Sequence, residues 1–319
     1  MHIPDGFIDG KTAVTTAVLS VAGLGLALRQ VKRELPARKV PLLGLAAAFV
    51  FAAQMINFPV VGGTSGHLMG SALVAALLGP AAAVVVISTV LIVQCFLFAD
   101  GGVTALGASI FNMAIVGGIT GYAVYRALCS CMPGARGRVT AVAFAGWCST
   151  VLAAICCTGE LAWSGTVNWS VAFPAMAGIH VLIGLGEGLI SALVLLAVER
   201  SRPDMIYNAS GNGQGQAVGG FLLYGLLAAA GIAVFVAPFA CPWPDGLEFV
   251  AQTLGFEHKA AEPMAAPVPD YEMPGVGWSA GATAAAGLTG VVAVFAMAWI
   301  LGRVLVRDNA ARSGNLAAK

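Results

Sequence analysis

The sequence has 319 residues, of which 59% are hydrophobic and 10% are charged, and its formal net charge is +1. Ordinary soluble domains contain about 45–50% apolar and about 25% charged residues. A soluble protein of this length therefore lacks the charges to cover its surface, and the apolar surplus must face lipid. This composition excludes a cytosolic enzyme, a disordered chain and a nucleic-acid binder, and the seven irregularly spaced Cys predict no disulfide framework.

The apolar stretches predict a protein that crosses the membrane several times. A bilayer core needs about 20 apolar residues per helix. The stretches near or above this length are residues 12–28, 40–58, 68–98, 105–128, 139–159, 171–199, 218–239 and 279–302.

The third stretch, residues 68–98, is too long for one pass and contains Gly79-Pro80. Gly suits the end of a helix, and Pro suits the first turn of the next helix because it has no N–H to donate. We therefore predict a short half-helix at 68–79 and a spanning helix at 80–98. The half-helix is too short to span alone, so we expect it to lie beside a polar loop that protein shields from lipid.

The basic residues indicate the orientation. Lys and Arg collect at residues 29–39, 126–138, 200–202 and 303–319. All four clusters fall on the cytoplasmic side, as the positive-inside rule requires, only if 68–98 is a hairpin. The prediction is an all-α polytopic protein of the cell (inner, cytoplasmic) membrane with about nine membrane segments, its N-terminus outside and its C-terminus in the cytoplasm.

A connector rich in Gly, Asn and Gln, residues 208–220, indicates a flexible joint between two modules. Seven predicted membrane segments precede it and two follow it. We therefore divide the chain into a membrane domain at 1–207, the linker, and a second module at 221–319. The two helices of the second module are joined by an acidic outer loop at 240–277.

Two His residues, His2 and His67, lie on the predicted outer side. The first residues carry two Asp where a signal peptide needs positive charge, so we expect Met1 and His2 to remain in the mature protein. The amine of Met1, the amide nitrogen of His2 and its imidazole can close around one ion as fused chelate rings. A deprotonated amide ligand favours Ni(II), Cu(II) or Co(II), and planar nitrogen sets suit Ni(II) and Cu(II).

The imidazole of His67, at the end of the short Gly-rich loop 59–67, is the natural fourth ligand. A plainer interpretation is that His2 is an ordinary polar residue near the chain terminus and His67 a capped loop residue. The spacing alone leaves both interpretations open.

Several motifs resemble one family of membrane proteins. They are MHIPDGF at 1–7, NFPVVGGTSGHLMG at 57–70, FNMAIVGG at 111–118 and GIHVLIGLGEGLISA at 178–192. These segments resemble the CbiM/NikM proteins, the substrate-specific membrane components of energy-coupling-factor cobalt and nickel importers. PDGLEFVAQTLGFEHK at 244–259, with Pro269-Asp270-Tyr271, is similar to the companion CbiN/NikN subunit, here fused in one chain.

This resemblance implies that Met1, His2 and His67 hold the transported ion, which is nickel or cobalt. It also implies a transmembrane coupling subunit and cytoplasmic ATPase subunits as partners. The Gly10-Lys11-Thr12 sequence does not complete a phosphate-binding loop. We therefore expect no catalytic residues, no built-in cofactor and no ATP hydrolysis by this chain.

Other polar residues are candidates for supporting roles. Asn57, Thr64 and Ser65 either orient His67 or cap the loop. Asn112 either packs between helices or lines a pocket.

Glu187 lies inside a predicted span, seven residues after His180 and on the same helix face. An intramembrane charge of this kind marks either a structural polar network or a part in metal release.

Two other classes of function remain alternatives. Ser65 in Gly63-Thr64-Ser65-Gly66, with His180 as base, fits an intramembrane serine protease. Glu187 as a proton relay fits a proton-coupled secondary transporter.

Overall fold

The computed structural model describes residues 2–207, 218–261 and 264–317, with side chains of the last helix up to residue 306. Met1 and most of the predicted linker, residues 208–217, lie outside the described residues. Elsewhere the chain is almost entirely helical, with one small pair of strands near its start.

The described residues form eleven α-helices. They are α1 Gly10–Glu34, α2 Val40–Gln54, α3 Ser71–Leu78, α4 Pro80–Phe98, α5 Leu106–Ser109, α6 Gly117–Cys131, α7 Ala135–Trp163, α8 Trp169–Ser201, α9 Gly219–Phe235, α10 Gly246–Leu254 and α11 Ser279–Ala317. A π-helical segment, Ile110–Val116, joins α5 and α6 into one continuous helix.

Within the described residues, eight helices are long and apolar enough to cross a membrane. They correspond to the eight spanning segments predicted from hydropathy, and the short α3 is the ninth segment. The polytopic helical architecture is confirmed. The sequence did not predict the antiparallel strands β1 Phe58–Val60 and β2 Thr64–Gly66, because each strand has only three residues.

The break between α3 and α4 lies at Gly79, as predicted, with φ at +93° and Pro80 at the start of α4. The half-helix is shorter than predicted because residues 67–70 are not helical. Gly70 has φ at +77°, and α3 begins only at Ser71. Eight residues span about 12 Å. The non-helical segment 67–70 precedes this short helix, and it is surrounded by protein.

Helix α4 lies at the centre of the bundle and is the most buried of the eight spanning helices. It packs against α1, α2, α3, α6 and α11, while α7 and α8 form an extensive antiparallel pair. Large apolar side chains such as Val14, Val21 and Leu189 point outward, as a lipid-facing surface requires.

We call the end of the bundle that carries the chain start the site face. Here residues 2–9 meet the loops that follow α2, α4, α7 and α9. The amide of Gly102 donates to the carbonyl of Ile3 at 2.8 Å, and that of Cys241 donates to the carbonyl of Asn57 at 2.8 Å. The opposite end, which carries the basic clusters, is called the basic face.

The second module packs directly onto the first through α11 and α2. A Cβ atom at Gly290 would lie 2.0 Å from Cζ of Phe51, so the two helices approach too closely for a larger residue. We expect Gly290→Val to lower the free energy of unfolding by about 1–3 kcal/mol through overpacking. Thermal unfolding of the purified chain in detergent measures this effect.

The matched control for Gly290→Val is Gly231→Val on α9, where a Cβ atom has open space within 4 Å. It should leave the transition nearly unchanged. Equal unfolding temperatures for the two variants would contradict the close packing of α11 on α2.

Candidate metal centre

The segment that carries His2 is held in place by contacts of the residues that follow it. Ile3 is fully buried, and its amide donates to Oγ of Ser109 at 3.3 Å. The carboxylate of Asp5 accepts from the amides of Val103 and Thr104 at 3.1 and 2.8 Å. The chain start is therefore held against the loop after α4 and the beginning of the α5–α6 helix.

The imidazole of His2 is enclosed by polar groups from α4 and the loop after it. Its Nε2 lies 3.1 Å from Oε1 of Gln94, and its Nδ1 lies 3.3 Å from Oδ1 of Asp100. Burial lowers the pKa of His2, although the charge of Asp100 acts in the opposite direction. The ring is therefore biased toward the neutral form that a metal requires.

Gln94 belongs to a chain of hydrogen bonds through the buried core. Its Nε2 donates to Oε1 of Gln54 at 2.9 Å, and Nε2 of Gln54 donates to the carbonyl of Met69 at 3.1 Å. Both Gln side chains are buried. This chain connects the ring of His2 to the backbone segment that follows His67.

His67 directly follows strand β2, at the start of the non-helical segment that leads to α3. Its Nδ1 contacts the carbonyl of Leu68 at 3.1 Å. Burial lowers the pKa of the His67 imidazole to about 3. A neutral ring that donates Nδ1–H to a carbonyl presents Nε2 as its metal-binding atom.

The carboxylate of Glu187, which is fully buried on α8, holds the segment after His67. It accepts from the amides of Met69 and Gly70 at 2.5 and 2.9 Å. These amides precede α3, so the carboxylate also lies near the positive end of that helix dipole. Glu187 thus fixes the backbone next to a candidate ligand.

The two imidazoles face one another. The ring centroids of His2 and His67 are 5.4 Å apart, with the planes inclined by 31°. Metal–nitrogen bonds of about 2.0–2.1 Å place two ring centroids about 4.5 Å apart at a right angle and about 6.5 Å apart when opposite. The observed separation falls between these values, so one ion fits between the rings.

Both rings line an open cavity of about 680 Å³ at the site face. Its described lining contains no Lys or Arg but several carboxylates, those of Asp5, Asp100, Asp245, Glu248 and Asp270. A cleft lined by one sign of charge attracts ions of the opposite sign. The cavity therefore suits a small cation.

Residues 241–261 and 264–271 of the second module cover this cavity, and we call them the covering segment. The amide of Ser65 donates to the carbonyl of Pro244 at 2.8 Å, and Oγ of Ser65 donates to the carbonyl of Trp243 at 2.8 Å. On the other side, the hydroxyl of Tyr271 donates to Asp100, the same carboxylate that faces His2.

The PDGLE sequence forms the start of α10 within the covering segment. Oδ1 of Asp245 accepts from the amides of Leu247 and Glu248 at 2.8 and 2.9 Å, and the amide of Asp245 donates to Oε2 of Glu248 at 3.0 Å. This capping box fixes the helix start beside His67, where Asp245 and His67 line the same cavity.

Comparisons with known proteins agree with this arrangement. Residues 2–205 match the model of CbiM, the cobalt uptake substrate-specific transmembrane region, and residues 219–307 match the PDGLE domain. The chain belongs to the CbiM family. Its relatives are components of nickel and cobalt transport systems.

Two relatives have names that describe them as fused nickel transport proteins. A NikMN chain of Archaeoglobus fulgidus is 38% identical over 306 residues, which cover 95% of this chain and 98% of that protein. The fused nickel transport protein NikMN of Rhodobacter capsulatus is 35% identical over 221 residues, covering 65% of this chain and 64% of that protein. The crystal structure of a truncated transition metal transporter is 32% identical, with a TM-score of 0.58, and the match covers 63% of this chain and 99% of that one.

The structure brings the predicted ligands His2 and His67 of this CbiM-family chain together. Three predicted supporting residues contact the covering segment. The carbonyl of Asn57 accepts from the amide of Cys241, Oγ1 of Thr64 donates to the carbonyl of Pro244 at 3.0 Å, and Ser65 makes the bonds given above. Their polar groups dock the second module onto the β-hairpin.

The remaining candidates lie deeper in the bundle. Nδ2 of Asn112 donates to Oε2 of Glu160 at 2.7 Å, so this pair joins the π-helical segment to α7. Nδ1 of His180 contacts the carbonyl of Met176 at 2.8 Å, and its ring lines a small cavity of about 20 Å³ together with His67. His180 thus lies next to the candidate centre.

Sequence reasoning missed Gln54, Gln94, Asp100 and Tyr271. The two Gln residues interrupt otherwise apolar helices, and this interruption was the available signal. Asp100 lies directly after α4 at the site face. Only the fold shows that these residues share one site, because their contacts with His2 and Met69 join distant parts of the chain.

We expect Glu187→Gln to destabilise the chain by about 1–3 kcal/mol, because a side-chain amide can accept from one backbone N–H but turns its own NH₂ toward the other. It should also weaken metal binding by loosening segment 67–70. Thermal unfolding and nickel titration check both effects.

Glu34→Gln is the control for Glu187→Gln. Glu34 is an exposed carboxylate at the basic face that accepts from Gln30. If Glu187→Gln matched this control in unfolding temperature and affinity, the backbone anchor described here would be wrong.

Proposed function

We propose that this chain is the substrate-binding membrane component of an ATP-driven energy-coupling-factor importer for Ni²⁺ or Co²⁺. The observation that carries the proposal is the pair of imidazoles, His2 and His67, whose ring centroids lie 5.4 Å apart and which line a cavity that also contains several carboxylates. The names of the relatives support the class of ion.

The proposed ligands are the amine of Met1, the amide and imidazole nitrogens of His2 and the imidazole of His67. The buried Ile3 supports this set, because it fixes the backbone directly after His2, whose amide and imidazole nitrogens are two of the proposed ligands. One deprotonated amide leaves a divalent ion with one net positive charge. The carboxylates of Asp100 and Asp245 lie on the same cavity and can compensate it.

The proposed orientation places the site face outside the cell and the basic face in the cytoplasm, as the positive-inside rule requires. Residues 1–207 then form the metal-binding domain, 208–220 the linker and 221–319 the CbiN/NikN-like module. The covering segment of that module lies above the site, so we propose that it assists metal loading. A transmembrane coupling subunit and cytoplasmic ATPase subunits supply the energy.

An added residue before Met1 tests the amine ligand. A chain released from a fusion with one extra Gly at its start should bind nickel more than about 100-fold more weakly, which is beyond the loss typical for groups that only orient a ligand. Isothermal titration compares it with a chain released without extra residues. The same Gly added after Lys319 is the control, and unchanged affinity of the extended start would refute the proposed site.

Substitution of single His residues tests the second imidazole. His67→Ala should abolish high-affinity nickel binding, because it removes one of the four proposed nitrogen ligands. His258→Ala, in the exposed turn after α10, should bind as the unmodified chain does. Titration of both variants at the same pH decides between a ligand and a structural role for His67.

Transport in vesicles distinguishes the energy source. With the coupling and ATPase subunits present, uptake should require ATP and persist when the proton gradient is collapsed. Vesicles with an inactive ATPase subunit are the control. Uptake by the chain alone that stops on collapse of the gradient would favour the proton-coupled alternative.

A further inference from the structure

The hydrogen bonds that start at Met69 have only one consistent direction. A backbone carbonyl can only accept, so Gln54 must turn its NH₂ toward Met69, as the 3.1 Å contact shows. Oε1 of Gln54 then faces Gln94 and accepts from its NH₂ at 2.9 Å. This leaves Oε1 of Gln94, which is also an acceptor, facing Nε2 of His2 at 3.1 Å.

The direction of this chain decides which nitrogen of His2 carries the proton. Oε1 of Gln94 needs a donor, and the only one that a neutral imidazole offers at this contact is Nε2–H. The other nitrogen, Nδ1, then keeps its lone pair. Nδ1 is the atom that closes a six-membered chelate ring with the amide nitrogen of the same residue. It also lies 3.3 Å from Oδ1 of Asp100, a second acceptor that competes for the ring proton. That carboxylate already accepts from the hydroxyl of Tyr271, and the contact of Nε2 with Gln94 is the shorter one, so we expect Gln94 to win this competition.

We propose that Gln94 and Gln54 are the positioning residues of the metal centre. They fix His2 as the Nε2–H tautomer, leave Nδ1 for the metal, and connect this ring to the segment that carries His67. The inference rests on the proposed function, in which His2 is a ligand. It adds two residues that are not ligands themselves and that lie far from His2 in the sequence.

The surroundings give this hydrogen-bond chain its strength. Gln94 is fully buried on α4, and Gln54 is buried at the end of α2. A reversed amide in either would set two acceptors or two donors against each other away from water, which is costly. Met69, at the end of this hydrogen-bond chain, is held in place because its amide donates to Glu187.

The test measures the tautomer directly. The full-length chain is labelled with ¹⁵N-His, purified in detergent without metal at about pH 8, and its imidazole ¹⁵N resonances are recorded; His2→Gln identifies those of residue 2. We expect Nε2 of His2 to be protonated in the unmodified chain. In Gln94→Met and Gln54→Met the Nδ1–H tautomer should appear, and nickel affinity should fall about 10–100-fold.

Two further variants sharpen the result. Gln94→Glu keeps an acceptor toward Nε2–H but sets its second oxygen against Oε1 of Gln54. It should therefore lower the unfolding temperature, retain the tautomer and bind nickel better than Gln94→Met. Gln30→Met replaces a Gln at the basic face and should change neither readout. Gln54→Met does not touch His2, so it tests the relay even if Gln94→Met does not fold, which thermal unfolding reveals.

Three outcomes would overturn the proposal: Nδ1–H on His2 in the unmodified chain, unchanged tautomer and affinity in both Met variants, or weaker affinity in both with the tautomer unchanged. The last result would assign the Gln pair a purely structural role. The tautomer is measured without metal, so a failure of the proposed function, seen as an unmodified chain that does not bind nickel, remains distinguishable from a failure of this inference.

Discussion

The fixation of the chain start is the constraint on which the site depends. Chain ends are usually among the most mobile parts of a domain. Here Ile3 is fully buried, and Asp5 pairs with two amides of the loop after α4. A terminal ligand that had to be ordered on binding would lose affinity to conformational entropy. In the proposed site, fixation of Ile3 and Asp5 before the ion binds removes much of that cost.

Two of the polar side chains buried in the bundle, those of Glu187 and Gln54, are directed toward one short segment. Glu187 accepts from the amides at 69 and 70, and the Gln54 side chain donates to the carbonyl at 69. Polar groups buried in an apolar interior are stable only when they are paired. Segment 67–70 is non-helical, so its backbone groups lack the hydrogen bonds that a helix would supply, and lipid could not supply them either. The side chains of Glu187 and Gln54 provide hydrogen bonds to this backbone. The same contacts fix the position of His67.

Helices and their breaks could be predicted from the sequence, because hydropathy, basic clusters and Gly79-Pro80 act locally. His2 and His67 could be proposed as ligands because an imidazole at position 2 has an unusual chelating geometry. The β-hairpin, the capping of α10 beside His67 and the contact of Asp100 with His2 could not be predicted, since each depends on tertiary contacts that local patterns do not encode. Asn57, Thr64 and Ser65 were recognised as polar loop residues, but their contacts with the second module required the fold.

The covering segment has a consequence for exchange kinetics. It is joined to the bundle by hydrogen bonds. The amide of Ser65 donates to the carbonyl of Pro244, the hydroxyl of Tyr271 donates to Asp100, and the amide of Ala261 donates to the carbonyl of Asp5. Because this segment lines the open cavity, its local separation from the bundle would widen the exit for an ion held at the proposed site, and the residence time of that ion would reflect this opening equilibrium as well as bond strength. Because the segment belongs to the same chain, reclosure is unimolecular and independent of protein concentration.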